Sequence, residues 1–177
     1  MKLLFLFFLI LLQSSDDKIL ESSRHLFFNF ENDKNAAVKL FNQLDQDKNS
    51  LENSVLIAYK GVARASSADA LFNPVSKLAR FNEGKKLIET AIDIDSQNAE
   101  IRLLRLSVQL GAPVFLNYRS EIEEDRQVIV ERINNDPALF NDDEFTLKVL
   151  MFLQNRANPN AKQQQEIKES MRRLEMK

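Results

Sequence analysis

The residues able to do chemistry are few in this sequence of 177 residues, and their types limit what they can do. The chain holds a single His and no Cys, so thiolate catalysis, a disulfide and a zinc site built from Cys and His are excluded. His25 is followed by the apolar run Leu-Phe-Phe at 26–28. This setting predicts an imidazole at the edge of the core rather than a metal ligand or a general base.

Two acidic clusters invite a metal-binding or catalytic interpretation, and neither has the required pattern. Asp45, Asp47 and Asn49 have the spacing that opens a calcium loop, but the Gly and the bidentate Glu of that loop are missing. A polar turn between helices is predicted there instead. The carboxylates at 121, 123, 124 and 125 diverge around one helix, where they favour the dipole at its start. We therefore predict no enzyme, no metal and no cofactor.

Arg102 and Arg105 are the most informative charged residues because they fall on one face of a strongly apolar helix. Long charged side chains in such a place need a partner or a route to solvent. One interpretation is an ion pair with acids of a neighbouring helix, either 74–95 or 119–134. The other is a clamp for an anion or a peptide carboxylate, formed by the guanidinium forks. In the second interpretation Tyr59 and Tyr118 line the same groove, although core packing is an alternative for both.

The elements that must position these residues are helices. Gly occurs three times, Pro four times and Leu 25 times, and this composition favours long helices over strands. Apolar residues at helical spacing predict about seven to eight helices, at 17–29, 34–45, 51–65, 74–95, 99–110, 119–134, 143–155 and in the tail. Gly61 and Ala65 are expected to allow close helix approach. Asn73 and Asn98 are expected to cap helices, and Ser50 is a third candidate cap.

The N-terminus has the pattern of a secretory signal peptide. Lys2 precedes ten apolar residues, 3–12, and small polar residues follow. The apolar run is too short to span a bilayer, which needs about 20 residues; a membrane anchor or a buried helix are the alternatives. We expect residues 1–15 to be removed, leaving 16–177 as one all-α domain whose tail, 155–177, docks loosely. The protein is then exported, to the periplasm or beyond, with no transmembrane segment after cleavage.

Two sets of residues resemble the second helix of a tetratricopeptide repeat, which is a pair of antiparallel helices. The first set is Ala37, Phe41, Leu44 and Asn49, and the second, 47 positions further on, is Gly84, Ile88, Ala91, Ser96 and Asn98. Tyr59, Gly61 and Ala63 are similar to first-helix positions. The resemblance covers about 17–110 and implies helix pairs stacked in a right-handed array; another helical bundle is the alternative. The stretches 73–95 and 100–113 also resemble small exported helical proteins of bacteria whose function is unassigned.

These observations together predict a non-catalytic protein- or peptide-binding module of the bacterial cell envelope. A curved stack of helix pairs offers a concave face to a peptide or protein segment, and Arg102, Arg105, Tyr59 and Tyr118 are the predicted contact residues. The alternative is a carrier of a lipid or metabolite, with Phe side chains lining an apolar pocket and the segment 112–118 as a lid. The net charge is −2 and the sequence contains no stripe of basic residues, so no nucleic-acid partner is expected. The pattern specifies neither the oligomeric state nor the identity of the partner.

Overall fold

A computed structural model describes residues 17–33 and 35–176. Within these ranges the chain is all-α, with eight α-helices and no β-strand. The helices are α1 (17–28), α2 (Ala36–Gln46), α3 (Ser54–Ser66), α4 (Pro74–Ile94), α5 (Ala99–Gly111), α6 (Ile122–Asn135), α7 (Asp143–Arg156) and α8 (Ala161–Glu175). Short 3-10 turns at Lys48–Leu51, Ser67–Ala70 and Val114–Leu116 connect some of them. The predicted signal peptide lies outside the described residues, and no described helix is both long and apolar enough to cross a membrane.

Helices α3 and α4 approach each other through small residues. A Cβ atom on Gly84 would lie 2.4 Å from the backbone nitrogen of Ala65 and 2.5 Å from the carbonyl oxygen of Gly61. A Cβ atom on Gly61 would lie 2.8 Å from the carbonyl oxygen of Gly84. Only glycine fits at these two positions, because the obstacles are backbone atoms that have no other rotamer. The predicted close approach at Gly61 and Ala65 is confirmed, and it fixes α4 against the core.

Asparagine side chains define where several helices begin. Asn73 and Asn98 accept hydrogen bonds from the backbone N–H groups two and three residues ahead, as predicted. The predicted cap at Ser50 is wrong: α3 begins at Ser54, and Asn53 caps it. The Ser50 hydroxyl is buried and instead donates to the carbonyl oxygens of residues 44 and 47. A side chain that reaches the preceding helix in this way closes the turn between α2 and α3.

Helix α5 lies at the centre of the core. Ile101, Leu103, Leu104 and Leu106 are fully buried, as the apolar sequence on almost every side of this helix predicts. Polar residues on the same helix are buried as well, which makes α5 the element around which the charged side chains are organised.

Helix α1 packs against elements far from it in sequence. The ring centroids of Phe28 and Phe145 are 5.7 Å apart, and Glu31, just after α1, forms an ion pair with Arg156 at the end of α7. An open stack of repeats has contacts only between neighbours, whereas α1 connects the beginning of this domain to its C-terminal half. The all-α class is confirmed, while the right-handed repeat stacking stays a prediction.

The C-terminal helix α8 docks through three apolar side chains and several polar contacts. Ile167 is fully buried, and Met171 and Leu174 pack beside it at the edge of the core. Gln163 donates to the side-chain oxygens of Glu123 and Gln127 on α6. The three apolar side chains thus face the core.

Candidate functional site

The two predicted contact arginines converge on one buried carboxylate. Asp125 on α6 is fully buried and accepts hydrogen bonds from Arg102 Nη1 at 2.8 Å, Arg105 Nε at 2.8 Å and Arg105 Nη2 at 2.6 Å. The spacing of three residues places both guanidinium groups on the face of α5 that meets α6. Because Arg102 and Arg105 are only 3% and 5% exposed, this cluster is an internal connection between the two helices.

Further groups complete the same network. Glu124 accepts from Arg102 at 2.9 Å, and Glu89 on α4 accepts from Arg105 at 3.1 Å. The Tyr118 hydroxyl donates to Glu89 at 2.5 Å. Burial lowers the pKa of Arg105, but the hydrogen bonds and charge of Asp125 outweigh it, so the net pKa is raised. Burial and the hydrogen bond to Glu89 raise the pKa of Tyr118 well above its ordinary value.

Tyr59 belongs to a second buried network. Its hydroxyl donates to Glu100 Oε1 at 2.8 Å, and Arg24 donates to the two carboxylate oxygens of Glu100 at 2.9 and 2.7 Å. The Arg24 guanidinium carbon lies 4.2 Å from the centroid of the Phe145 ring. Burial and the Glu100 charge raise the pKa of Tyr59 well above its ordinary value. This network joins α1, α3, α5 and α7.

The structure therefore brings together three of the four predicted contact residues and separates the fourth. Arg102, Arg105 and Tyr118 share one network, whereas Tyr59 lies in the other. The ion-pair interpretation of the arginines holds, with partners on α4 and α6. The prediction that both tyrosines line one groove with the arginines is wrong, because all four side chains are at most 5% exposed and face internal partners.

The other sequence candidates have ordinary structural surroundings. His25 is exposed, so the expected place at the edge of the core is wrong. Asp45 forms an ion pair with Lys60 at 2.9 Å. Glu121 accepts from Gln109 at 3.0 Å, while its neighbours 123 and 124 pair with different arginines, so these carboxylates diverge as predicted. In the described part of the chain, no three His, Cys, Asp or Glu residues are grouped closely enough to hold a metal ion.

A shallow cavity lies at the start of α5, and its volume is about 140 Å³. Its lining is mainly polar and includes Asn98, Glu100 and Arg132, with Phe140 on one side. Small-molecule pockets are typically about 300–1,000 Å³ and mainly apolar. Many Phe rings are used for packing: Phe140 and Phe145 form an edge-to-face pair with centroids 5.0 Å apart. Neither observation favours the carrier alternative.

The surface feature that does require an explanation is a group of exposed apolar side chains. Two chain segments supply them. The exposed fractions are 101% for Phe72, 77% for Val75, 46% for Leu78, 74% for Val114 and 83% for Phe115. We call these five residues the apolar tip. Single exposed apolar residues are normal, but a group of them marks an interaction site.

Antiparallel packing of α4 and α5 places both segments of the apolar tip at one end of the molecule. Glu89 contacts Arg105 on α5, and Phe81 packs on Tyr118, which follows α5, with ring centroids 6.0 Å apart. Residue numbers thus fall along α4 as they rise through α5 and beyond. The turn after α5 therefore lies toward the end of the molecule at which α4 begins. Helix α4 has no buried residue before Phe81, so its first two turns project beyond the core.

Sequence reasoning missed the apolar tip by assigning its residues to the core. The position of Phe72 just before Asn73 and Pro74 predicts a hydrophobic staple at the start of α4. The helical spacing of Val75 and Leu78 predicts that both lie on the buried stripe of that helix. These expectations are wrong, since all three side chains are exposed. The buried stripe starts only at Phe81 because α3 ends opposite that turn, where Ala65 lies against Gly84. The available signal was length: α4 has 21 residues and α3 has 13.

Comparisons of this chain with protein-family models, with curated proteins and with solved structures gave no match. The tetratricopeptide resemblance therefore stays a prediction from sequence.

Proposed function

We propose that this protein is a non-catalytic docking module of the bacterial cell envelope, which attaches to another envelope component through the apolar tip. The observation that carries the proposal is the exposure of Phe72, Val75 and Phe115, each more than three-quarters accessible. Burying a large apolar side chain against a partner stabilises a complex by about 1.5–3 kcal/mol. Several such side chains at one end of a rigid domain provide a driving force for association.

The internal chemistry supports a docking role over a catalytic one. Asp125, Glu100 and their arginine partners satisfy one another inside the helix stack. Their hydrogen bonds join α1 and α6 to α5, and Arg105 also bonds to Glu89 on α4, the helix that carries part of the apolar tip. Location in the envelope rests on the predicted signal peptide. The repeat resemblance implies that the partner is a protein or peptide segment bound on the concave face of a helix stack. Binding at that face is a separate proposal from docking through the apolar tip.

The test is attachment of the tagged protein to washed envelope membranes of its host. The variant Phe72→Ser/Phe115→Ser removes the two exposed rings of the apolar tip, and Leu147→Ser/Met151→Ser removes exposed apolar groups of α7 as a matched control. Circular dichroism first establishes that both variants are folded. We expect the tip variant to remain in the supernatant and the control to sediment like the unchanged chain. Equal sedimentation of all three proteins would overturn the proposal.

A further inference from the structure

We propose that the component bound by the apolar tip is the surface of an anionic lipid bilayer. This inference rests on the docking role proposed above and names its partner. Its first support is shape. The most exposed side chain, Phe72, has an accessibility of 101%, which means that it projects into solvent from the corner between α3 and α4 without a neighbouring wall.

A projecting side chain of this kind suits a lipid surface better than a protein surface. A protein partner must supply a complementary pocket for each of Phe72, Val75 and Phe115, whereas lipid chains rearrange around any apolar shape. Aromatic and aliphatic groups on an interfacial element enter the boundary between headgroups and acyl chains to a depth of about 5–10 Å. The first two turns of α4 and the turn after α5 contain no buried residue, which is compatible with such shallow insertion.

The second support is charge. The segments that form this end, 67–82 and 111–120, carry the cations Lys77, Arg80 and Arg119 and the single acid Asp69. Their net charge is +2, although the whole chain has a net charge of −2. Anionic lipids attract cations placed beside inserted apolar groups. The charge at this end is therefore complementary to an anionic bilayer and opposite to that of the remaining chain.

These cations are available to lipid headgroups. Within the described residues none of the three forms an ion pair with a carboxylate. Arg119 donates to the carbonyl oxygens of Leu110 and Ala112, and Arg80 donates to that of Ser67. Such contacts orient the guanidinium groups and leave their charge unneutralised. Long aliphatic stems allow a cation to stay at headgroup level while apolar neighbours insert.

The experiment measures insertion at the tip itself, since the apolar residues 3–12 of an unprocessed chain also bind membranes. The chain has no Cys, so a single Ala79→Cys substitution on the exposed face of α4 carries an environment-sensitive dye beside the apolar tip. Met151→Cys on α7 carries the same dye as a control. The probes are vesicles of phosphatidylcholine alone and of phosphatidylcholine with 30% phosphatidylglycerol. They are added to the purified protein in the form in which its host produces it.

We expect a blue shift of the dye at position 79 with the anionic vesicles and no shift at position 151. Phe72→Ser/Phe115→Ser should weaken the response roughly tenfold or more, because both inserting rings are lost. Lys77→Gln/Arg119→Gln should weaken binding to anionic vesicles by roughly tenfold, with no change in the circular dichroism spectrum.

Two results would overturn the lipid assignment. Equal shifts at both dye positions would mean adsorption without orientation. The second result is that the dye at position 79 does not shift although attachment to whole envelopes still requires the tip rings. This result would assign the apolar tip to a protein partner and leave the docking role intact. Failure of both the vesicle and the envelope experiments would overturn the docking role as well.

Discussion

The close crossing of α3 and α4 predicts a large effect of adding one methyl group. The substitution Gly84→Ala places a Cβ atom 2.4 Å from the Ala65 nitrogen and 2.5 Å from the Gly61 oxygen. An ordinary nonbonded separation is about 3.5 Å, so the helices must separate by about 1 Å at this point. Overpacking of a core costs about 1–3 kcal/mol and sometimes more. The upper end applies here because backbone atoms have no alternative rotamer.

The intrinsic helix preference of Ala offsets part of this cost, by about 1 kcal/mol. We therefore expect Gly84→Ala to lower the free energy of unfolding by about 2 kcal/mol. In a domain of this size the melting temperature then falls by about 4–8 °C. Thermal and urea unfolding followed by circular dichroism at 222 nm measure both quantities.

Gly111 provides the matched control at the end of α5. No heavy atom lies within 4 Å of a Cβ atom built there, and its φ is not positive. Gly111→Ala should therefore raise stability by about 0.5–1 kcal/mol through reduced freedom of the unfolded chain. If Gly84→Ala proved as stable as the unchanged protein, the close approach of the two helices would be refuted.

Two further predictions concern the buried networks. Asp125→Ala leaves two buried guanidinium groups without their shared partner, so it should lower the free energy of unfolding by about 3–5 kcal/mol. Asp93→Ala, at an exposed position, should change it by less than about 0.5 kcal/mol. Urea unfolding of both variants measures the two effects. The raised pKa of Tyr59 and of Tyr118 means that their neutral forms stabilise the fold fully below about pH 10, and that this stabilisation is lost as the pH rises further. Absorbance at 295 nm should therefore show no tyrosine ionisation near pH 10 in folded protein, then a rise that coincides with alkaline unfolding.

Each of these predictions has a clear contrary result. Similar stabilities of the Asp125 and Asp93 variants would mean that the α5–α6 network does not hold the helices together. Titration of one tyrosine per chain with an ordinary pKa, in protein whose circular dichroism is still native, would mean that one hydroxyl is not enclosed as described.

Local sequence signals were sufficient to predict most of the helical architecture. Asn73 and Asn98 mark helix starts because their short amide side chains accept hydrogen bonds from free backbone N–H groups of the first turn. The small residues at 61 and 65 correctly predicted a close crossing, since little except helix packing explains them on one face. Such signals operate within a few residues, and they fail where a side chain finds another partner, as the Ser50 hydroxyl does at the carbonyl oxygen of Leu44.

The surfaces were harder to predict because they depend on which helix ends beside which. Val75 and Leu78 continue the apolar spacing of Phe81, and nothing in that spacing reveals that the neighbouring helix stops one turn earlier. The same reason applies to Arg102 and Arg105: their shared face was predictable, but the choice between a ligand and an internal acid depended on the position of α6. Glu100 and Arg24, which are 76 positions apart, have no local signal at all.

The long-range contacts of α1 determine the order in which this domain can form. Synthesis proceeds from the N-terminus, yet the first helix finds its partner Glu100 and the aromatic ring of Phe145 only after most of the chain has been made. Until then its apolar face is covered only in part, by Tyr59 on α3, whose ring centroid lies 6.0 Å from that of Phe27. A chain truncated before α7 would therefore keep the contacts of α1 with α3 and α5, but the ring of Phe28 would lack its partner Phe145.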